Sequence, residues 1–172
     1  DEFVVGDLRR LLGRLRKGWW SNVRQVCLST RMYGSNGLDT RPERQFGSYG
    51  EHWMPNLHVK SFVHCGQRLT AVPEDPHHFP CRGVSVNAAG EPLTGPVTLH
   101  VDTPVVVHHY YTRSRAEWAD KCSRGRGDGA GSRALADFDT FNRQVDKYCR
   151  ARDAARAAPP RTPKTTAAGR LA

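Results

Sequence analysis

Val105-Val106-Val107-His108-His109-Tyr110-Tyr111, followed at once by Thr112-Arg113-Ser114-Arg115-Ala116-Glu117, is the stretch on which the fold turns. Three valines running into histidines and tyrosines give the strongest strand signal in the chain. Ser114 and Glu117 then have the spacing of a capping box, in which each side chain satisfies the other residue's backbone amide. A helix therefore opens at Ser114 and runs through roughly Lys121. A strong strand followed by a capped helix sets a mixed class, α/β or α+β.

Upstream, Asp7 caps a helix whose Leu8, Leu11, Leu12 and Leu15 form one stripe, with Gly18 as its stop. Val23–Thr30 is short, β-branched and bounded by turn formers, so it reads as a strand. Residues 31–56 carry no period and read as a long functional or mobile loop. Leu57–Cys65 alternates with a period of two, and Val84–Val86 and Val97–Val101 are weaker strands. Downstream, Gly125–Gly131 is a basic glycine loop. A last helix follows, with Leu135, Phe138, Phe141, Val145 and Cys149 on one face.

The chain has 172 residues, enough for one domain with a real core. Its net charge of +9 raises the possibility of a nucleic-acid partner. Residues 150–172, however, hold six cations against Asp153, so +5 of that charge lies there and +4 in the rest. Apart from its charges that segment is mostly Ala, Pro and Thr, with little to bury. The expected organisation is a folded domain over 1–149 and a disordered basic tail over 150–172. The five cysteines, at 27, 65, 81, 122 and 149, form no C-x-x-C pair, so a zinc ribbon is not expected and the redox compartment stays open. No apolar run reaches the roughly 20 residues of a membrane span.

Three features could carry chemistry. Asp1-Glu2-Phe3 is acidic and precedes the first helix, where acidic residues also sit for dipole reasons alone. His108-His109 ends a strand, and because neighbours on a strand face opposite ways, only one of the two can enter a given site. Such a histidine is either a divalent-metal ligand or a hydrogen-bonded structural residue. His77-His78 is a second pair, in a more exposed turn. Arg113, Lys121, Arg124 and Arg126 surround the capped helix and the glycine loop, an arrangement that suits a diphosphate or makes a solvated basic face.

In their order these pieces resemble glycosyltransferase family 92. Asp1-Glu2-Phe3 and the leucine helix match the end of an acidic D-x-D-E-F motif and the helix after it. Tyr33-Gly34-Ser35-Asn36-Gly37, Thr40-Arg41-Pro42-Glu43, Lys60-Ser61 and the His77-His78 loop follow in the family's sequence. His109-Tyr110, then Arg113 to Lys121 in place of K-S-x-E-E-[FW]-x-x-K, then Arg124-Gly125, complete it. The resemblance covers roughly 1–149 and is most specific from His109 to Gly125. Arg113 stands for the family's lysine, Ala116 for its first glutamate and Leu38 for a histidine. Phe62-Val63-His64-Cys65 replaces an arginine–proline continuation.

What the resemblance implies is the C-terminal portion of a type A glycosyltransferase, an α/β fold whose Rossmann-like N-terminal half lies upstream. With no methionine at Asp1, the chain reads as starting inside a longer protein, and an aspartate is expected two residues before Asp1. The activity implied is inverting transfer of a hexose, galactose first, from a UDP-sugar to a glycan, glycoprotein or glycolipid acceptor. A divalent cation, Mn²⁺ by family habit, would be held by Asp1 and His109, while Lys121, Arg124 and Arg113 would bind the diphosphate. The catalytic base is left open among Asp39, Glu43, Glu51, Glu74 and upstream residues. A membrane anchor further upstream and a Golgi lumenal location follow for a eukaryotic protein, a cytoplasmic one for a bacterial protein. No specific nucleic acid is implied. The competing readings are a basic nucleic-acid module using Trp19, Trp20 and Tyr33, and a histidine-rich metal-binding module without catalysis.

Overall fold

The computed structural model describes residues 1–16, 22–64, 68–126 and 132–158. In chain order the elements are β1 (Glu2–Val5), α1 (Leu8–Arg16), β2 (Val23–Tyr33), β3 (Trp53–Val63), β4 (Val84–Asn87), β5 (Val106–Tyr110), α2 (Arg115–Arg124) and α3 (Ala136–Ala157). Among the described residues they form one open five-stranded sheet and three helices, a mixed α/β architecture. Gly18, Trp19, Trp20, Cys65, residues 127–131 of the glycine loop and residues 159–172 lie outside the described residues, as do the side chains of Leu15 and Arg16.

β2 organises the sheet. β3 runs antiparallel to it, while β4 and β5 both pair parallel to it, β4 along Val23–Cys27 and β5 along Thr30–Tyr33. β1 pairs antiparallel with β5 and sets Glu2 opposite His109 and Phe3 opposite His108. Alternation then sorts the side chains. Val26 and Leu28 of β2 join Val86, Val105 and Val107 in a core closed by Leu11, with Leu8 and Leu12 packed against it, so α1 covers that face. Tyr33 of β2 points the other way and joins Tyr49, Trp53 and Tyr110, against which Tyr148 of α3 packs.

The expected helices and the main strands are present, and four details differ. Glu2–Val5 is a strand, where the sequence pattern shows only an acidic lead-in to α1. The supposed 31–56 loop shrinks at both ends, because β2 runs to Tyr33 and β3 begins at Trp53. Val97–Val101 forms no strand, only an isolated bridge from Val97 to His58. The last helix, read with Cys149 on its apolar face, continues to Ala157, eight residues into the segment expected to be a tail. Alanine and arginine favour helix. In addition, Arg152 stacks 5.2 Å over Trp53 and donates to the Glu51 carbonyl at 3.1 Å, which ties this segment to the sheet.

The turn from β1 into α1 depends on Gly6. Its φ is +109°, and a Cβ there would stand 1.9 Å from the Pro104 carbonyl oxygen. Asp7 then caps the helix by accepting from the Arg10 amide at 2.8 Å. Gly6→Ala is expected to destabilise the fold by about 1–3 kcal/mol, the range for a forced unfavourable backbone. A urea midpoint unchanged by the substitution would contradict that close approach.

Candidate functional site

Pairing of β1 with β5 brings together groups that are far apart in the chain. The Tyr110 amide donates to the Asp1 carbonyl at 2.8 Å, which carries the ladder one residue past β1. His109, opposite Glu2, then lies between two carboxylates. Its Nε2 is 3.8 Å from Asp1 Oδ2 and its Nδ1 is 3.3 Å from Glu2 Oε1. The imidazole is only 18% exposed. Burial pulls its pKa down to about 4; Glu2 opposes this, and Lys121 and Lys60 reinforce it. The ring is therefore neutral at pH 7.

Two lysines complete the group. Lys60 Nζ, reaching from β3, lies 2.9 Å from Glu2 Oε1. Burial raises the Glu2 pKa, but the hydrogen bond and charge of Lys60 outweigh it, so the net shift is downward. Lys121 on α2 donates to Asp1 Oδ2 at 2.6 Å and to the Tyr111 carbonyl at 2.5 Å. Its pKa falls to about 8, first through burial and then through Arg113 and Arg133. Thr30 of β2 is fully buried, and its hydroxyl has no hydrogen-bond partner among the described residues. It pairs with Val107, two residues before His109, and so faces the same side of the sheet.

His108 faces the other side, as alternation requires. Its Nε2 is 3.3 Å from Tyr33 Oη, and its ring stacks on Phe46 with centroids 6.2 Å apart. The two adjacent histidines thus have separate environments, one polar and charged, the other aromatic.

The start of α2 is built around Glu117. Ser114 and Glu117 form the expected capping box. The Glu117 carboxylate also accepts from Gln45 Nε2 at 3.0 Å, Tyr49 Oη at 3.2 Å and Arg113 Nη1 at 3.3 Å. Arg113 holds a left-handed φ of +57°, unusual for a residue with a side chain. A cleft of about 330 Å³ beside it is lined by Arg41, Arg113, Glu117, Asp120, Ser123 and Arg124. The three cations expected to share one ligand are therefore divided. Arg113 and Arg124 border this cleft, whereas Lys121 reaches across to Asp1.

The donor types at Asp1 and His109 fit a divalent cation: one carboxylate oxygen and one neutral imidazole nitrogen, 3.8 Å apart on one side of the ring. Two ligands each about 2.1 Å from a shared ion lie roughly 3 Å apart at a right angle, so a small rotation would bring them onto it. Glu2 is on the far side of the ring. Accordingly, no group of three His, Cys, Asp or Glu side chains converges on one point among the described residues. A cation held here would take its remaining ligands from substrate or water, and Lys121 would have to yield Asp1 Oδ2.

The other candidates lie elsewhere. His77 lies in the expected turn but is half-buried, and it hydrogen-bonds through Nδ1 to the Val59 carbonyl at 2.9 Å. Among the possible bases, Asp39 lies 3.6 Å from Arg115 and Glu51 accepts from Trp53 Nε1 at 3.0 Å, while Glu43 and Glu74 are exposed. Among the described residues none of the four pairs with His109 or Lys121. Sequence reasoning missed Glu2 and Lys60 as site residues; recognising residues 2–5 as a strand would have placed Glu2 beside a histidine. No protein-family model, curated protein or solved structure matches the chain.

Proposed function

We propose that this chain is the C-terminal portion of a type A glycosyltransferase fold, in an enzyme that makes an inverting, metal-dependent transfer of a hexose, galactose first, from a UDP-sugar to a glycan acceptor. The observation that carries this reading is the meeting of Asp1, His109 and Lys121 from β1, β5 and α2. These are the same three positions that the family resemblance marks for cation and diphosphate. Asp1 and His109 would hold the cation, which when bound neutralises charge on the leaving diphosphate.

The chain's own residues contribute the rest. Lys121, displaced from Asp1, keeps its ammonium beside the site and can turn to a phosphate oxygen. Arg113 and Arg124 line the neighbouring cleft with charges suited to the second phosphate. Burial of His109 keeps its imidazole neutral and able to act as a ligand at pH 7. The longer protein, with its nucleotide-binding half and a membrane anchor upstream, would work in the Golgi lumen of a eukaryote or in a bacterial cytoplasm. Among the described residues no helix is long and apolar enough to cross a membrane.

The test is Mn²⁺-dependent transfer from UDP-galactose to a glycan acceptor by the longer protein, with the anomeric configuration of the product read by NMR. Inversion and loss of turnover on chelation are expected. The 172-residue chain alone should transfer nothing, because positioned donor binding supplies much of the catalytic advantage. Metal-independent transfer, or full activity of the short chain, would overturn the reading.

A further inference from the structure

We propose that Arg24, Arg68 and Arg82 form a binding site for a phosphate group, at the end of the sheet remote from Asp1 and His109. Together with Asn22 and Gly83 they line one cleft of about 430 Å³. β2 spans both places: Met32 near its far end pairs with His109, while Arg24 stands at its start, about 25 Å away at the rise of an extended strand. The site is therefore independent of the proposed glycosyl transfer.

Backbone pairing gathers the three arginines. The Arg24 carbonyl accepts from the His64 amide at 2.8 Å, and the Val84 amide donates to the Asn22 carbonyl at 2.8 Å. The second of these bonds sets Arg82 and Gly83 beside Arg24. Gly83 has a φ of +122°, and a Cβ there would stand 2.5 Å from Arg24 Cγ, so the arginine stem lies over bare backbone. Arg24 Nη1 also donates to the Val23 carbonyl at 3.3 Å, which anchors the guanidinium at the strand end. Arg68 arrives from the other side. Leu69 forms an antiparallel bridge with Cys81, and the Thr70 amide donates to the Pro80 carbonyl at 2.8 Å. Continued by one pair, that register puts Arg68 opposite Arg82. The Phe79 amide, donating to Gln25 Oε1 at 2.9 Å, fastens the same segment to β2.

Like charges directly opposite one another cost stability, and none of the described residues lining the cleft is acidic. An anion bound between the guanidinium groups offsets that repulsion. Each guanidinium is a rigid fork of N–H donors that can meet two oxygens at once. Forks coming from β2, from the bend before β4 and from the segment opposite require oxygens facing several directions. A tetrahedral phosphate offers them, whereas a carboxylate presents only two, in one plane. Arg68 and Arg82 are exposed and Arg24 is half-buried, so the ligand enters from solvent and meets Arg24 at the floor. Free phosphate and a phosphate monoester share this chemistry.

The experiment titrates the full ¹⁵N-labelled chain with inorganic phosphate at constant ionic strength and follows its amide signals by NMR. The amides of Arg24, Arg68, Arg82, Gly83 and Val84 are expected to shift together and to saturate with one affinity. Arg68→Gln and Arg24→Gln should each weaken that affinity about tenfold, as the loss of a charge-assisted hydrogen bond implies. Arg150→Gln, on an exposed turn of α3, should leave it unchanged, which separates the cleft from the general positive charge of the chain. Acetate should bind far more weakly than phosphate. A parallel titration with a sugar monophosphate distinguishes the sources: tighter binding than inorganic phosphate assigns the site to a phosphate ester, and weaker binding assigns it to the free anion. Shifts at these amides that never saturate would overturn the proposal. So would equal affinity in Arg68→Gln and wild type, or acetate binding as tightly as phosphate. If Arg24→Gln fails to fold, Arg68→Gln decides the matter, because its side chain is exposed.

Discussion

Replacing His109 by alanine is expected to cut Mn²⁺-dependent turnover of the longer enzyme by about a hundredfold, whereas His108→Ala should leave the metal dependence unchanged. Charge neutralisation by a bound cation contributes several kcal/mol to such a transfer, and each ~1.4 kcal/mol is a factor of ten in rate. His109 would be one of only two protein ligands, with its Nε2 3.8 Å from Asp1 Oδ2, so its loss should release most of that contribution. Raising the Mn²⁺ concentration should recover part of the activity, because Asp1 remains. His108 faces Tyr33 and Phe46 on the opposite side of the sheet. Its removal forfeits ring contacts of about 0.5–1.5 kcal/mol and should appear as a lower urea midpoint. Midpoint losses of similar size in both variants, with no change in Mn²⁺ dependence in either, would leave His109 a structural residue.

The asymmetry between these two histidines was legible in the sequence, because strand alternation is local and needs no knowledge of the partner strand. The Ser114–Glu117 capping box and the leucine stripe of α1 were legible for the same reason: each is complete within a few residues. β1 was not. Its four residues carry too little pattern to read as a strand, and they become one only by pairing with β5, more than a hundred residues later. Glu2 and Lys60 were missed as a pair because they sit on the two flanking strands of the order β1-β5-β2-β3 and meet only across the sheet. Val97–Val101 failed in the opposite direction. Its valines suggest a strand, but only Val97 finds a bridging partner. Residues 150–157 offer little to bury, yet Arg152 lays its guanidinium over Trp53. The division of Arg113 from Lys121 was equally invisible, since Lys121 turns to Asp1, 120 residues away in the chain.

Glu117→Ala is expected to be among the most damaging single changes to stability, costing about 3–5 kcal/mol, the range for breaking a buried ion pair by removing one partner. Its carboxylate is 9% exposed and accepts from the Ser114 hydroxyl at 2.9 Å as well as from Gln45, Tyr49 and Arg113. Truncation would leave those donors, and the largely buried Arg113 charge, without their acceptor. Against a typical stability of about 5–15 kcal/mol that is a large fraction. Glu117→Gln keeps the shape but turns an amide donor toward other donors, and should cost less, about 1–3 kcal/mol. The pH dependence follows from the same contacts. Burial raises the Glu117 pKa, but the Ser114 hydrogen bonds and Arg113 outweigh it, so the folded value lies below the unfolded one. The carboxylate's contribution is therefore complete above the unfolded pKa, near 4.3, and drains away as pH falls through the folded pKa. Wild type should lose more stability than Glu117→Gln between pH 5 and pH 3, narrowing the gap between them. Urea midpoints at pH 7 and pH 3 measure both effects. A Glu117→Ala cost below about 1 kcal/mol at pH 7, or a gap that does not narrow in acid, would show that α2 is anchored by Trp118 and its aromatic neighbours and not by this carboxylate.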